Sequence, residues 1–428
     1  MRRLVTALLL MLAVAARAEV TVRPHVYLVV IDGLGANQAD PALMPRLADT
    51  AHGGIHGDAR AAMPTRTNSS HMTLLTGVLP ESHGITGNAY WDRRSGSPEL
   101  LEAASLVEIP TLFTVVKTTR PDLVTIAAFS KAKLGRLFAG VPGRQQAPDV
   151  LWTPEGEAAS DAETMTAFLA AAANREPDLA AINLSEVDRT AHARGPDATE
   201  DARRHADAAL GRLLDDLRTR GRWGRSLVIV TADHGFDDVT ATVERPDPTI
   251  GLADRFDDDG VRGIRVVADG GTAHVYAQTI AADDATAGKA RATLAWAAAV
   301  AWRTPGVADV LARLDVPGVP ALMAVHPEWG LAHERAGDLL VIASPGFQFL
   351  DGRHPVAGAP RGNHGSPREM SVPLVILGGA VASAAPPSPP PSSADVGATI
   401  RGLLALAPPH RFDGRPVREG QPIVLPLR

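Results

Sequence analysis

The ten residues VYLVVIDGLG, 26–35, constrain the fold more than any other stretch of the chain. They form a near-continuous apolar run that ends in Asp32-Gly33, without the polar alternation of a half-exposed strand. Such a strand is buried on both faces, and strands of that kind belong to parallel sheets covered by helices. The theme recurs in LVTIAAF (123–129), LAAINL (179–184) and SLVIVT (226–231). Helical patterns stand between them over 111–119, 130–138, 161–173 and 198–221. Strands alternating with helices predict βαβ units and an α/β, doubly wound, mostly parallel sheet with helices on both faces. A further short helix is expected over 43–54, closed by Gly53 and Gly54.

From about residue 237 to 337 the pattern changes. VRGIRVVAD and GTAHVYAQT read as strands, followed by an alanine-rich helix over 285–302 and a short helix over 307–314. This is expected to be an inserted small α+β subdomain that covers the site, leaving 19–236 and 338–428 as the core. LLVIAS (339–344) is expected to resume the large sheet, and SVPLVILGG (371–379) to add a strand. A proline-rich linker, 383–394, precedes a final amphipathic helix.

The N-terminus MRRLVTALLLMLAVAARAEV joins two arginines, an apolar run from Leu4 to Ala15, and the small-x-small site Ala16-Arg17-Ala18. It reads as a signal peptide over 1–18, so the mature chain is expected in the periplasm or secreted. The run is shorter than the roughly 20 residues that cross a bilayer, so no membrane span is expected in the mature chain. The chain has no Cys for disulfides, and its net charge of −6 argues against a nucleic-acid duplex as partner. Nothing in the sequence sets an oligomeric state.

In an open α/β sheet, ligands bind beyond the carboxyl ends of the strands. Asp32, Asp188 and the pair Asp233-His234 all fall there. Asp188 and His192, spaced i, i+4, share one face of a helical turn. His364 stands in the loop GNHGS. Carboxylate oxygens with imidazole nitrogens suit zinc, and manganese or iron are compatible with the same donors. The stretch 63–88, MPTRTNSSHMTLLTGVLPESHGITGN, reads as a strand end, a turn and a helix start, a place for a nucleophile or merely for a helix cap. His71 and His83 lie within it as second-sphere or turn residues, and Tyr90 and Trp91 follow as candidate stacking residues.

In order, VVIDG, PTRTNSSHMTLLTGVLPESHGI, DRTAH, TADHGF and GNHG resemble the nucleotide pyrophosphatase/phosphodiesterase branch of the alkaline phosphatase superfamily. The resemblance implies an alkaline-phosphatase-like fold and two zinc ions. One would be held by Asp188, His192 and His364, the other by Asp32, Asp233, His234 and the oxygen of Thr67. It further implies that Thr67 attacks phosphorus and that water hydrolyses the phosphothreonine, cleaving a phosphodiester or pyrophosphate bond in a small molecule. The family pattern after the nucleophile commonly runs Phe-Pro-Asn-His, whereas here it is Asn68-Ser69-Ser70-His71. The aromatic for a nucleobase is thus replaced by Asn68, and the phosphate-binding Asn by Ser70. Asn68 either substitutes as a donor or caps the helix.

Thr67-Asn68, GITGN and Ser130-Lys131-Ala132-Lys133-Leu134 also resemble phosphonoacetate hydrolases of the same superfamily. There Lys131 and Lys133 would engage a substrate carboxylate; otherwise they begin a solvated helix. The alternative activities are therefore phosphonate or phosphomonoester cleavage at the same site. A non-catalytic protein holding metal structurally is the remaining class, and it fits less well, because closed structural zinc sites favour Cys.

Overall fold

The computed structural model describes residues 23–49, 53–278, 284–351, 360–415 and 417–428. The expected signal peptide lies outside them. The chain first lays down strands β1 (His25–Ile31), β2 (Ile55–Arg60), β3 (Thr125–Phe129), β4 (Val150–Trp152), β5 (Leu179–Leu184) and β6 (Ser226–Thr231). It then forms β7 (Ile264–Asp269), β8 (Thr272–Ala277), β9 (Val307–Ala312) and β10 (Leu339–Ala343), and ends with β11 (Ser371–Leu377).

The large sheet has the order β2-β11-β6-β1-β5-β3-β4. Five adjacent strands, β6, β1, β5, β3 and β4, are parallel, with Ile31 paired to Leu184, Val30 to Thr231, Phe129 to Asn183 and Ala128 to Trp152. β11 runs antiparallel to both β6 and β2. Every residue of β1 from Val26 to Ile31 is at most 2% exposed, so helices or loops cover both faces of the sheet. Burying side chains of this size stabilises by about 1.5–3 kcal/mol each. The antiparallel direction of β11 matters for the site: its beginning, not its end, reaches the edge at which the parallel strands finish.

The described helices include α1 (Thr67–Leu74), α2 (Leu112–Thr119), α3 (Ala132–Leu137), α4 (Asp161–Asn174), α5 (Glu186–Arg194), α6 (Glu200–Thr219), α7 (Asp284–Arg303) and α8 (Ser393–Leu403). α1 is polar yet wholly buried. Its side chains return their hydrogen bonds to its own backbone: Thr73 Oγ1 donates to Ser69 O at 2.9 Å, and His71 Nδ1 lies 2.9 Å from Thr67 O. None of the helices among the described residues is long and apolar enough to cross a membrane.

Three expectations change, and one strand appears that the residue pattern did not announce. Residues 43–49 form turns, not a helix. Pro45 interrupts the run, and the Asp207 carboxylate of α6 accepts the Arg46 and Leu47 N–H groups at 3.1 and 2.9 Å. Residues 50–52 lie outside the described residues. The polar edge strand β2, IHGDAR, carries no apolar run and emerges only through its ladder with β11. Residues 307–312 form strand β9, not a helix, because pairing with β10 decides a segment whose local preference is weak. Finally, β10 does not resume the large sheet. It joins a second, antiparallel sheet of order β7-β8-β10-β9, so the small unit reaches past residue 337. A fully buried apolar strand looks alike in either sheet, and only the pairing separates them.

The small sheet and α7 enclose a core of their own. A separate cluster of Leu311, Leu322, Trp329 and Ile342 packs Met63 of the large unit against the small one.

Candidate active site

Four adjacent parallel strands deliver the site. β6, β1, β5 and β3 end just before Asp233-His234, Asp32, Asp188 with His192, and Ser130-Lys131 respectively. β2 runs parallel to them and leads to Thr67 at the first position of α1. The reversed β11 begins at the same edge and brings His364, seven residues ahead of it. The sheet thus gathers every expected metal-ligating residue at one edge.

The histidines converge. Nδ1 of His192 donates to Gly362 O at 3.0 Å, Nδ1 of His364 to Thr65 O at 2.6 Å, and Nδ1 of His234 to Gly235 O at 3.0 Å. Each bond leaves Nε2 as a bare lone pair. Yet Nε2 of His192 lies 3.2 Å from Nε2 of His364. The His234 and His364 rings stack at 3.5 Å. Asp188 Oδ1 stands 3.5, 3.7 and 3.8 Å from Nε2 of His192, His364 and His234. Two facing lone pairs repel unless a cation lies between them. Asp188 Oδ1, Asp233 Oδ2 and His234 Nε2 are buried without a hydrogen-bond partner. Orphaned acceptors of this kind, drawn only from carboxylate and imidazole, fit a divalent ion such as zinc.

Burial lowers His192 and His234 to about 4 and His364 well below its usual range. All three imidazoles are therefore neutral at neutral pH, as ligands must be. Burial, then the neighbouring Asp233, pushes Asp32 up to about 7. Burial acts the same way on Asp188, but Lys131 and the histidines outweigh it and hold that carboxyl well below the carboxylate range.

Three donor sets are compact: Asp188 with His192 and His364, Asp32 with Asp188 and His234, and Asp32 with His71 and Asp233. The first coincides with one expected trio. The other expected set is split, with Asp188 reaching into it. His71 is better read as a prop than a ligand: its Nδ1 is 3.4 Å from Asp233 Oδ2, and Asn183 Nδ2 lies 3.1 Å from its Nε2.

Thr67 is 1% exposed. Lys131 Nζ lies 3.5 Å from its Oγ1, 2.9 Å from Asp32 Oδ1 and 2.7 Å from Asp188 Oδ2. Lys131 is thus no solvated helix start. Burial works against its charge, but Asp188, Asp32 and Asp233 outweigh it and raise its pKa. Lys133 is half-buried on α3, where burial and the Lys131 charge lower it to about 8. Asn68 does not turn toward Thr67 Oγ1: its Nδ2 donates to Leu101 O at 3.0 Å, a tether rather than a cap. Ser70 Oγ is buried in α1 without a partner. Tyr90 and Trp91 carry the guanidinium groups of Arg335 and Arg265 over their rings, at 5.7 and 5.4 Å from the centroids.

Three functional positions escaped the sequence reading. Asn183 is the next-to-last residue of the mostly apolar strand β5; its Oδ1 accepts Ser130 Oγ at 2.7 Å, which aims its Nδ2 at Asp32 Oδ2, 2.9 Å away. A polar residue in a strand buried on both faces was the available signal. Asn88 closes the stretch 63–88, and its Oδ1 accepts the Asn68 N–H at 3.2 Å beside Thr67. Phe236 sets its ring edge-on against His192 and His364 at 4.9 and 5.0 Å. Gly33 makes room for it, since a Cβ there would lie 2.6 Å from Phe236 Cε2.

The sequence model of the type I phosphodiesterase/nucleotide pyrophosphatase family matches residues 26–367. Among curated proteins, the venom phosphodiesterase of Macrovipera lebetinus is 26% identical over 232 residues, 49% of this chain and 25% of that protein. Ectonucleotide pyrophosphatase/phosphodiesterase family member 3 of Rattus norvegicus is 27% identical over 227 residues, 50% of this chain and 25% of that protein. The aligned part thus spans a quarter of those relatives. Among solved structures, inactive murine ectonucleotide pyrophosphatase/phosphodiesterase 5 in complex with AMP superposes with a TM-score of 0.69 at 19% identity, covering 93% of this chain and 97% of that one. Phosphonoacetate hydrolase from Sinorhizobium meliloti 1021, in complex with phosphonoacetate, gives 0.68 at 21%, covering 90% and 96%. These structures share the fold.

Proposed function

The chain belongs to the type I phosphodiesterase/nucleotide pyrophosphatase family, and we propose that it is a metal-dependent hydrolase of small phosphorus esters with Thr67 as nucleophile. The observation that carries this reading is the convergence of three neutral imidazole Nε2 atoms and three buried carboxylates beside a buried hydroxyl. In it, Asp188, His192 and His364 would hold one zinc ion, and Asp32, Asp233, His234 and the Thr67 oxygen would hold the other. When bound, such ions would supply Lewis acidity that lowers the pKa of a hydroxyl and offsets phosphoryl charge.

The chain's own groups do the rest. Thr67 is the first residue of α1, and the positive end of a helix dipole suits an anionic phosphoryl group. Thr67 Oγ gives its proton to solvent and forms a bond to phosphorus as the bond from phosphorus to the leaving oxygen breaks, and that oxygen departs with the electron pair and takes a proton from solvent. Water then attacks phosphorus, the bond to Thr67 Oγ breaks, Oγ takes back a proton that the water loses, and the phosphoryl product leaves. Lys131 Nζ, 3.5 Å from Oγ1, is a permanent cation beside the reacting atoms. The Asn88 amide group, its oxygen anchored on Asn68 N–H, keeps its NH2 as a donor for a phosphoryl oxygen.

One observation favours a second reading. Lys131 stands by Thr67, and Lys133, close enough to feel the charges of Lys131, Asp32 and Asp188, has its own charge opposed by burial. A substrate with a second anionic group near phosphorus, such as a carboxylate-bearing phosphonate, would relieve that. Asn68 where an aromatic would stack, and Tyr90 and Trp91 with one face each under an arginine, weigh against a nucleotide. The test is kcat/KM for a nitrophenyl phosphodiester, a nitrophenyl phosphomonoester, ATP and phosphonoacetate on one zinc-loaded preparation. Turnover of none of them overturns the hydrolase; a phosphonoacetate value above the others selects the second reading. Export to the periplasm or medium belongs to the same proposal and is tested by the N-terminal residue of the mature chain, expected at Glu19.

A further inference from the structure

The inserted unit does more than border the site. Asp269 ends strand β7 and is 3% exposed. Its Oδ1 lies 2.8 Å from Arg66 Nε, and its Oδ2 accepts the Asn88 N–H at 3.3 Å. Arg66 immediately precedes Thr67, and Asn88 holds the N–H of Asn68, which immediately follows it. One carboxylate from the small unit therefore grips both flanks of the nucleophile.

The turn after Asp269 holds the opposite wall. Arg66 Nη1 donates to His364 O at 3.0 Å, and Gly271 N–H donates to the same carbonyl at 2.8 Å. Gly270 is in the left-handed region, with φ of +69°. A Cβ there would lie 2.0 Å from His364 O and 2.5 Å from Arg66 Nη1, so the turn fits only without a side chain. A Cβ on Gly87 would meet Asp269 Oδ2 at 2.5 Å.

We propose that the turn Asp269-Gly270-Gly271 is a positioning element of the site: through Arg66 and Asn88 it sets Thr67, and through the His364 carbonyl it sets a metal-ligating loop. The inserted unit is then a wedge that completes the site rather than a lid over it. The proposal rests on the roles assigned above to Thr67 and His364. A buried ion pair that merely joins two units is the competing explanation, and it predicts lost stability with an unaltered site.

The test uses full-length, zinc-loaded protein carrying Asp269→Asn, Arg66→Met, both together, or Gly270→Ala. Zinc affinity is read by chelator competition, kcat and KM with a nitrophenyl phosphodiester, and unfolding by thermal melt. Removing a partner that orients ligands costs about 10–100-fold in metal affinity or activity. Asp269→Asn is expected to lower kcat by about that factor with KM within about threefold, and the double variant to be no worse than the poorer single one, because both remove one linkage. Gly270→Ala is expected to weaken zinc by about tenfold or more. A lowered melting temperature with kcat and zinc affinity within about twofold of the parent, or additive losses in the double variant, overturns the proposal. If Asp269→Asn does not fold, Arg66→Lys keeps the charge, shortens the reach to His364, and carries the same readouts. If the parent turns over no phosphorus ester, the hydrolase reading fails by itself and zinc affinity decides the wedge: unchanged affinity in Gly270→Ala and Asp269→Asn overturns it.

Discussion

Nζ of Lys131 lies 2.7 Å from Oδ2 of Asp188, inside the group of carboxylates and imidazoles at the sheet edge. The same ammonium reaches Asp32 at 2.9 Å, so one side chain offsets two buried carboxylates, one just after β1 and the other on α5. Removing one partner of a buried pair leaves an uncompensated charge, which costs about 3–5 kcal/mol. Lys131→Met is therefore expected to lose about that much unfolding free energy in the presence of a chelator. Zinc is expected to restore most of it, since a divalent ion satisfies the same oxygens. Urea denaturation with chelator and with zinc checks both; equal stability of variant and parent in chelator rejects the counter-ion role.

Thr67→Ala removes the attacking oxygen and one methyl-sized group from a buried position. Turnover of a nitrophenyl phosphodiester is expected to fall by about 10³-fold or more. The thermal melt is expected to stay within a few degrees of the parent, and Thr67→Ser to keep measurable turnover. Near-parental rates in the alanine variant would remove Thr67 from the mechanism.

Lys133 separates the two substrate readings. A charged hydrogen bond contributes about 1.5–3 kcal/mol, which is about 10–100-fold in rate or affinity. If a substrate carboxylate uses Lys133, Lys133→Ala lowers kcat/KM for phosphonoacetate by about that factor and for a nitrophenyl phosphodiester by less than about threefold. Equal losses on both substrates assign Lys133 to general electrostatics.

Asp161, at the start of α4, gives a pH signature remote from the reacting atoms. It is fully buried, its Oδ2 has no hydrogen-bond partner, and burial followed by the nearby Glu186 pushes its carboxyl up to about 7. The folded protein then keeps a proton that the unfolded chain releases near pH 4. Its contribution is favourable at low pH and is lost as pH rises through about 7. Asp161→Asn abolishes that titration, so the variant should gain on the parent by about 1.4 kcal/mol per pH unit from about 4 to 7, and by a constant amount above. Denaturation curves across that range measure it; a pH-independent difference contradicts the shift.

Removing the metal tests the donor set as a whole. Chelation is expected to abolish turnover, and zinc to restore it better than magnesium, because imidazole nitrogen suits zinc and hard oxygen shells suit magnesium. Full activity with magnesium alone contradicts the assignment of His192, His234 and His364 as ligands.

How much could be read beforehand differs by the physics of each element. Strands β1, β5 and β6 are mostly apolar, and burial on both faces writes itself into composition. β2 and β9 are not, and both exist because a neighbouring strand supplies the hydrogen-bond ladder. Lys131 illustrates the same divide: in sequence it resembles a solvated helix start, yet the ends of β1 and β5 place two carboxylates around it. Asn68 was equally plausible as donor or cap, and its bond to Leu101 O, 33 residues away, decided against both.

By itself, the amino-acid sequence determined the doubly wound sheet and the residues that can bind metal, because strand burial and donor chemistry are properties of local residue types. Tertiary structure alone decided three things: that β10 joins the small sheet, that Lys131 stands among the carboxylates, and that Asp269 reaches both sides of Thr67. Each depends on a contact between residues far apart in the chain. Local composition records the environment a residue needs, but not which distant residue will provide it.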